Sequence, residues 1–367
     1  MGLHVPENIA QLKPYPPGKP IEELEREYGI SGSIKLASNE NPLGPSPLAI
    51  AAIQSHLQNL HRYPDGSGFY LRKRLSTHLQ VPESAIVLGN GSNEIIDLLI
   101  RTFVRQGDEV LMAAPTFLVY HLMVRVAGGK PVEVPLKGFT HDLQAMTEAI
   151  TSRTRLIFLN NPNNPTGTVL SRQDMDEFLD RVPQDVPIVV DEAYFEFANP
   201  EKTFSGLEYL DSTPPVIVLR TFSKAYGLAG LRIGYGVMIE EIADYLNRVR
   251  QPFNVNTLAQ VAALAALDDE DFLQRTREVV REELRYLYQE MARLQLPTFP
   301  TETNFFLIQV DCDAREVYQA LLKKGVIVRA MNSYGLANFI RISPGRHEEN
   351  LRFVAAIEEV MNSLRKG

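Results

Sequence analysis

The chain reads as an α/β protein: a large domain on a mostly parallel, doubly wound sheet, with a smaller α/β domain in its C-terminal part. Two patterns predict this. From about residue 36 to residue 250, short β-branched runs alternate with stretches of helical apolar spacing, the rhythm of parallel strands joined by crossover helices. Several of those runs stop abruptly in polar residues, and in open α/β sheets ligands collect outside the carboxyl ends of the strands.

In chain order, the first such run is Ala85-Ile86-Val87-Leu88, which ends in Gly89-Asn90-Gly91-Ser92-Asn93 before Glu94 to Ile100 takes up helical apolar spacing. Strand, glycine loop and helix start make a phosphate cradle, because backbone N–H groups and the helix dipole face the anion while glycine admits it closely. By itself the loop is weak evidence, since most such loops are only turns. It is not a Walker motif, since no Gly-Lys-Ser/Thr follows, nor a dinucleotide fingerprint, since the second glycine pair is missing. Next, Leu156-Ile157-Phe158-Leu159 runs into Asn160-Asn161-Pro162-Asn163-Asn164-Pro165-Thr166-Gly167, whose prolines and asparagines exclude helix and enforce an ordered turn. Ile188-Val189-Val190 runs into Asp191-Glu192-Ala193-Tyr194, where Asp191 is either a ligand or a simple cap on the next segment. Val216-Ile217-Val218-Leu219, preceded by Pro214-Pro215, leads to Thr221-Phe222-Ser223-Lys224, and Arg232 lies eight positions beyond Lys224.

A lone lysine after a strand is usually a solvated residue. Here the neighbouring strand ends supply an acid, a phosphate loop, an arginine and an asparagine turn, and one chemistry uses the whole set. A lysine forms a Schiff base with pyridoxal phosphate, a carboxylate pairs with its pyridinium nitrogen, and its phosphate needs backbone amides and a cation. Asp191 is the natural partner for that nitrogen, since a protonated ring is an electron sink for a carbanion formed at a substrate Cα.

Beyond Pro252, residues Thr257 to Leu267 and Asp271 to Leu294 read as helices. The second places Val280, Leu284, Leu287, Met291 and Leu294 at alternating four and three spacing, too few turns for a coiled coil and suited to a core-facing helix. Phe305 to Val310, Val326 to Arg329 and Phe339 to Ser343 read as strands with helices between and after them. The division expected is a large domain over 36–250 and a small one over 1–35 and 251–367, which includes the N-terminal segment and an interdomain helix.

Composition narrows the function classes. With 367 residues and 44% apolar content the chain can fill a sizeable core, and a net charge of −8 without any Lys/Arg run argues against nucleic acid as a partner. A single cysteine, Cys312, excludes disulfides within the chain, and seven scattered histidines without a His-Glu-x-x-His pair give no indication of a metal. Residues 1–20 are polar and proline-rich, unlike a signal peptide, and no apolar run approaches the roughly 18 residues of a membrane span. The expectation is a soluble cytoplasmic protein with no membrane partner.

The chain resembles the fold-type I pyridoxal-phosphate aminotransferases, and among them the histidinol-phosphate aminotransferase family. The resemblance begins at Leu12-Lys13-Pro14-Tyr15, continues through Ser38-Asn39-Glu40-Asn41-Pro42-Leu43-Gly44 and Arg62-Tyr63-Pro64-Asp65, takes in the motifs above and ends at Phe339-Ile340-Arg341-Ile342-Ser343. It implies that Lys224 carries the cofactor, Asp191 pairs with the pyridinium, Tyr194 and Asn164 hydrogen-bond the ring hydroxyl, and Phe117 stacks on the ring. It assigns the cofactor phosphate to Ser92, Asn93, Thr221 or Ser223, and Arg232. It also implies that Tyr63 reaches that phosphate from a partner subunit, hence a homodimer with shared sites.

For substrate, the resemblance puts Arg341 at the family's carboxylate-binding position, where it would serve both glutamate and a phosphorylated amine, and makes Arg329, otherwise a surface strand charge, and Tyr15 candidate phosphate contacts. Arginine suits this because its fork is bidentate. Histidinol phosphate and glutamate would then react by turns at one site, giving ping-pong kinetics, with the freed Lys224 amine moving the proton. An aromatic amino acid aminotransferase and a decarboxylase of a phosphorylated amino acid would share Lys224, Asp191 and the phosphate loop. A non-catalytic sensor would need an added DNA-binding module, for which residues 1–35 are too short and too rich in proline.

Overall fold

The structure, a computed structural model, describes residues 4–365, so residues 1–3 and 366–367 of the outer-domain expectation lie outside it. Among the described residues twelve strands form three sheets. In chain order they are β1 (Ile34–Lys35), β2 (Ile86–Gly89), β3 (Glu109–Ala114), β4 (Lys130–Pro135), β5 (Thr154–Asn160), β6 (Ile188–Asp191), β7 (Val216–Thr221), β8 (Gly234–Val237), β9 (Phe306–Gln309), β10 (Val326–Ile327), β11 (Arg329–Ala330) and β12 (Phe339–Ile342).

The central sheet has the order β2-β8-β7-β6-β5-β3-β4 and is parallel except where β8 runs antiparallel to both β2 and β7. Its strands are apolar on both faces because both are covered. Val110, Met112, Leu156, Phe158, Val189, Ile217 and Leu219 pack under the helices Ser92–Phe103, Leu118–Val126 and Glu240–Val249. The alternate residues Leu111, Ala113, Ile157, Leu159, Ile188, Val190, Val216 and Val218 pack on the other face. The helices there include Phe69–Leu79, Arg172–Leu179 and Thr257–Ala266. Val255 to Leu267 therefore belongs with the core of the central sheet, although the sequence reading set that stretch beyond the large domain. Its small alanines, Ala259, Ala262, Ala263 and Ala266, let it lie close against the helix Pro47–His56.

A second core surrounds β9, β10 and β12, the helix Glu270–Arg293 and the C-terminal helix His347–Leu364. Val280, Leu284, Leu287 and Met291 are buried in it, as expected of a core-facing stripe. The single strand read over Val326 to Arg329 is two. Ile34 and Lys35 of β1 pair in parallel with Val326 and Ile327, whereas Arg329 and Ala330 pair antiparallel with β12. The chain changes partners at Val328, which no residue pattern announces. Among the described residues no helix is long and apolar enough to cross a membrane.

Candidate active site

The register of the central sheet aligns the carboxyl ends of its parallel strands. Asn160 at the end of β5 faces Asp191 at the end of β6, and the Asn160 amide donates to the Asp191 carbonyl at 3.2 Å. The Asp191 carboxylate is buried, its Oδ2 accepting from the Tyr120 hydroxyl at 2.5 Å and its Oδ1 from the Ala193 N–H at 3.2 Å. The capping alternative is not realised: the next helical segment, Phe195–Phe197, has Tyr194 at its N-cap and no side-chain cap, and the Ala193 contact is a local turn. Burial pushes this carboxyl up to about 6, against those two hydrogen bonds, so a cation beside it strongly favours the ionised form.

Lys224 follows β7 through a tight turn. Gly227 in that turn has φ +70°, and a Cβ there would lie 2.1 Å from the Gly44 carbonyl, so only glycine lets the 39–44 segment close against the lysine. The Lys224 ammonium donates to the Ser38 carbonyl at 3.1 Å and stands 5.6 Å from the centre of the Tyr194 ring. Burial first, then the Arg341 charge and more weakly Arg232, pull its pKa down to about 8 against the opposing Glu40.

At the neighbouring strand end, Gly91 has φ +75° and precedes the helix Ser92–Phe103, which has no side-chain cap at its start. A Cβ on Gly91 would meet the Arg232 guanidinium at 2.6 Å, and one on Gly234 would meet the Ser92 N–H at 2.5 Å. Glycines here bring a helix N-terminus and a cation together. Arg232 holds φ 59°, an uncommon conformation for a residue with a side chain, and its Nη1 reaches the Ser223 hydroxyl at 3.4 Å and the Ala229 carbonyl at 3.1 Å. Thr221 and Ser223 hydrogen-bond each other at 2.9 Å beside it.

The small sheet supplies the opposite wall. Arg329 and Arg341 are direct partners across β11 and β12, so both side chains leave the same face. Like charges directly opposite repel each other, and the arrangement makes sense around an anion. Arg341 is buried; its guanidinium donates to the Asn164 side-chain oxygen and the Ala37 carbonyl, lies over the Phe305 ring, and leaves Nε without a partner. Arg329 donates to the Pro16 carbonyl at 2.8 Å and stands 5.8 Å from the Tyr15 ring centre.

All but one of the residues singled out from sequence line a single cavity of about 560 Å³: Tyr15, Ser92, Asn93, Phe117, Asn164, Asp191, Tyr194, Thr221, Ser223, Lys224, Arg232, Arg329 and Arg341. Tyr63 does not; it is 82% exposed and stacks on Phe253 with ring centres 4.9 Å apart. Sequence reasoning missed Tyr120, which anchors Asp191, and assigned no role to Asn39, whose amide donates to the Tyr194 hydroxyl at 2.8 Å. Val119, Leu122 and Met123 on the helix after Phe117 form an apolar wall that was also missed. The spacing of Phe117 and Tyr120, three apart at a helix start, is the one available signal for Tyr120.

Residues 31–357 match the family model described as aminotransferase class I and II. The chain is 48% identical to the histidinol-phosphate aminotransferase of Desulfotalea psychrophila, covering 99% of this chain and 96% of that one. It is 49% identical to that of Moorella thermoacetica, covering 97% and 92%. The structure superposes on the histidinol-phosphate aminotransferase of Sinorhizobium meliloti, solved in complex with pyridoxal-5'-phosphate, with a TM-score of 0.91, 29% identity and 99% of both chains covered. With its site residues gathered at the strand ends of a mostly parallel sheet, the chain belongs to the class I and II aminotransferase family.

Proposed function

We propose that the chain is a histidinol-phosphate aminotransferase that uses pyridoxal phosphate to move an amino group between L-histidinol phosphate and 2-oxoglutarate or glutamate. The observation that carries the substrate class is the in-register pair Arg329 and Arg341 on one cavity wall, with the buried Arg341 Nε free to donate. Such a pair suits a phosphate or a carboxylate on a substrate whose reacting carbon lies near Lys224. The names of the full-length relatives support the specific substrate.

The residues fit pyridoxal phosphate. Asp191 is a buried carboxyl that calls for a cation, the start of the helix Ser92–Phe103 with Arg232 is an anion cradle, and Lys224 is an amine close to neutrality between them. When bound, the cofactor supplies an electron sink for the substrate's Cα carbanion. Asp191 would keep the ring nitrogen protonated, Tyr194 and Asn164 would hydrogen-bond the ring hydroxyl, and Phe117 would stack on the ring. Ser92, Asn93, Thr221 or Ser223, and Arg232 would hold the phosphate. Lys224, with its pKa near 8, accepts and returns a proton at Nζ without a large driving-force penalty. Arg341 and Arg329 would hold the anionic end of each substrate in turn, with Tyr15 beside Arg329, and sharing one site makes the kinetics ping-pong.

A homodimer with shared sites belongs to the same proposal. Tyr63 is exposed beside Phe253, and Leu57, Leu60, Phe69 and Tyr70 are exposed apolar residues in the same stretch of chain. Such a cluster favours a second copy of the chain, which would carry Tyr63 to the partner's phosphate cradle. The test of function is to add histidinol phosphate to purified protein without any keto acid and follow the cofactor's visible spectrum. Conversion to the pyridoxamine form is expected. Conversion by phenylalanine but not by histidinol phosphate would refute the named substrate while leaving the transaminase reading intact.

A further inference from the structure

Asn39 sits in the left-handed region at φ 55°, is 2% exposed, and uses every polar group it has. Its N–H donates to the Ser343 hydroxyl at 2.9 Å, its side-chain oxygen accepts from that hydroxyl at 3.0 Å, and its carbonyl accepts from the Asn304 amide at 3.1 Å. Its remaining group, the side-chain NH₂, donates to the Tyr194 hydroxyl oxygen at 2.8 Å. A second chain of donors reaches the same oxygen. Arg341 can only donate, so the Asn164 oxygen that meets it is the acceptor, and the Asn164 NH₂ is left facing the Tyr194 hydroxyl at 3.5 Å. With two donors on its lone pairs, the Tyr194 hydroxyl has its own proton left to give, and the cavity is the side not yet used. The charged and titratable groups around that hydroxyl are Arg341 on β12, Asp191 at the end of β6 with Tyr120 bonded to it, Lys224 after β7 and Tyr334.

Resting on the pyridoxal-phosphate reading above, we propose that Asn39, oriented by Ser343, is a positioning residue that fixes the Tyr194 hydroxyl as a donor toward the cofactor's ring oxygen. Asn39 touches neither reacting atom; it acts through Tyr194. Ser343 and Asn304 tie it to the second core, so the small domain sets the direction of a hydrogen bond at the cofactor ring. A donor aimed at the ring oxygen stabilises its anionic form. Losing that aim therefore raises the pH midpoint at which the bound cofactor's visible absorbance titrates.

The test is a spectral titration of the holoenzyme, wild type against Asn39→Gly. Glycine accepts φ 55° without strain, so the backbone is retained. The midpoint is expected to rise by roughly half to one pH unit, the size of one hydrogen bond. In a Tyr194→Phe background, Asn39→Gly should move the midpoint by less than about 0.2 unit, because the coupling runs through the hydroxyl. Ser343→Ala, which keeps Asn39 but frees its amide to rotate, should give a smaller rise of the same sign. A fall in the midpoint would mean that the Asn39 amide is turned and receives the Tyr194 proton, and it would overturn the proposal. So would no shift, or equal shifts in both backgrounds. Wild-type protein that binds the cofactor without any visible titration would instead remove the underlying reading, and the proposal with it.

Discussion

Replacing Lys224 by Met should abolish turnover and, in cofactor-free protein, raise stability near pH 7. The buried ammonium is the reason. Its pKa falls from 10.5 to about 8 on folding, and at about 1.4 kcal/mol per pH unit this is a cost of about 3 kcal/mol for holding the charge in place. Methionine keeps an unbranched stem and removes the charge, but it forfeits the hydrogen bond to Ser38, worth about 1 kcal/mol. The expected net gain is about 2 kcal/mol, or about 3 °C in melting temperature for 367 residues at the usual unfolding entropy per residue.

The gain has a defined pH window. Below about pH 8 the lysine is charged in both folded and unfolded chains, so the wild type bears the full cost. Between about 8 and 10.5 the unfolded chain binds more protons than the folded one, wild-type stability rises with pH, and the advantage of Lys224→Met shrinks toward zero. Thermal melts of both proteins at matched concentration, at pH 7 and pH 10, test this, the matching being needed because association also stabilises. A variant no more stable than wild type at pH 7, or one whose advantage persists undiminished at pH 10, would refute the reasoning.

On the proposed reading, Asp191→Asn would replace the ionised partner of the ring nitrogen by a neutral one. Turnover should fall on the order of a thousandfold, about 4 kcal/mol of transition-state stabilisation, while the visible spectrum still reports bound cofactor. Beneath the site, Arg220 and Glu192 form an ion pair whose carboxylate is fully buried, with an Nε to Oε2 distance of 2.8 Å and the guanidinium over the Phe195 ring. Arg220→Met leaves that carboxylate unpaired and should cost about 3–5 kcal/mol in denaturant unfolding. Burial already raises the Glu192 pKa, so protonation relieves the lone group and the deficit should be smaller at pH 5 than at pH 8; a deficit independent of pH would contradict this account.

What was legible in the sequence is what short-range pattern encodes. Asn164, Asp191, Thr221, Ser223 and Lys224 each follow an apolar run that stops abruptly, and a strand ending at a cavity has to stop that way. Tyr120 and Asn39 carry no such mark. Tyr120 reaches Asp191 across 71 positions and Asn39 reaches Ser343 across 304, and both look locally like an ordinary core aromatic and an ordinary turn residue. The change of partner at Val328 was hidden because Val326 and Ile327 pair with Ile34 and Lys35, far back in the chain, although Arg329 pairs with the nearby Arg341.

Several departures from local preference border the cavity, although Gln80, Phe139, Phe253 and Gln295 hold positive φ elsewhere. Lys224 and Asp191 are ionisable groups whose surroundings disfavour their charged forms, Asn39 and Arg232 hold backbone conformations that side chains disfavour, and Arg329 faces Arg341 in register. Each costs stability alone, and all five features border one cavity. A ligand with a cationic ring nitrogen and an anionic phosphate would answer the Asp191 and Arg232 terms, and an anionic substrate the arginine pair. The cavity thus asks for two partners of different charge pattern, a cofactor and a substrate, rather than for one larger ligand.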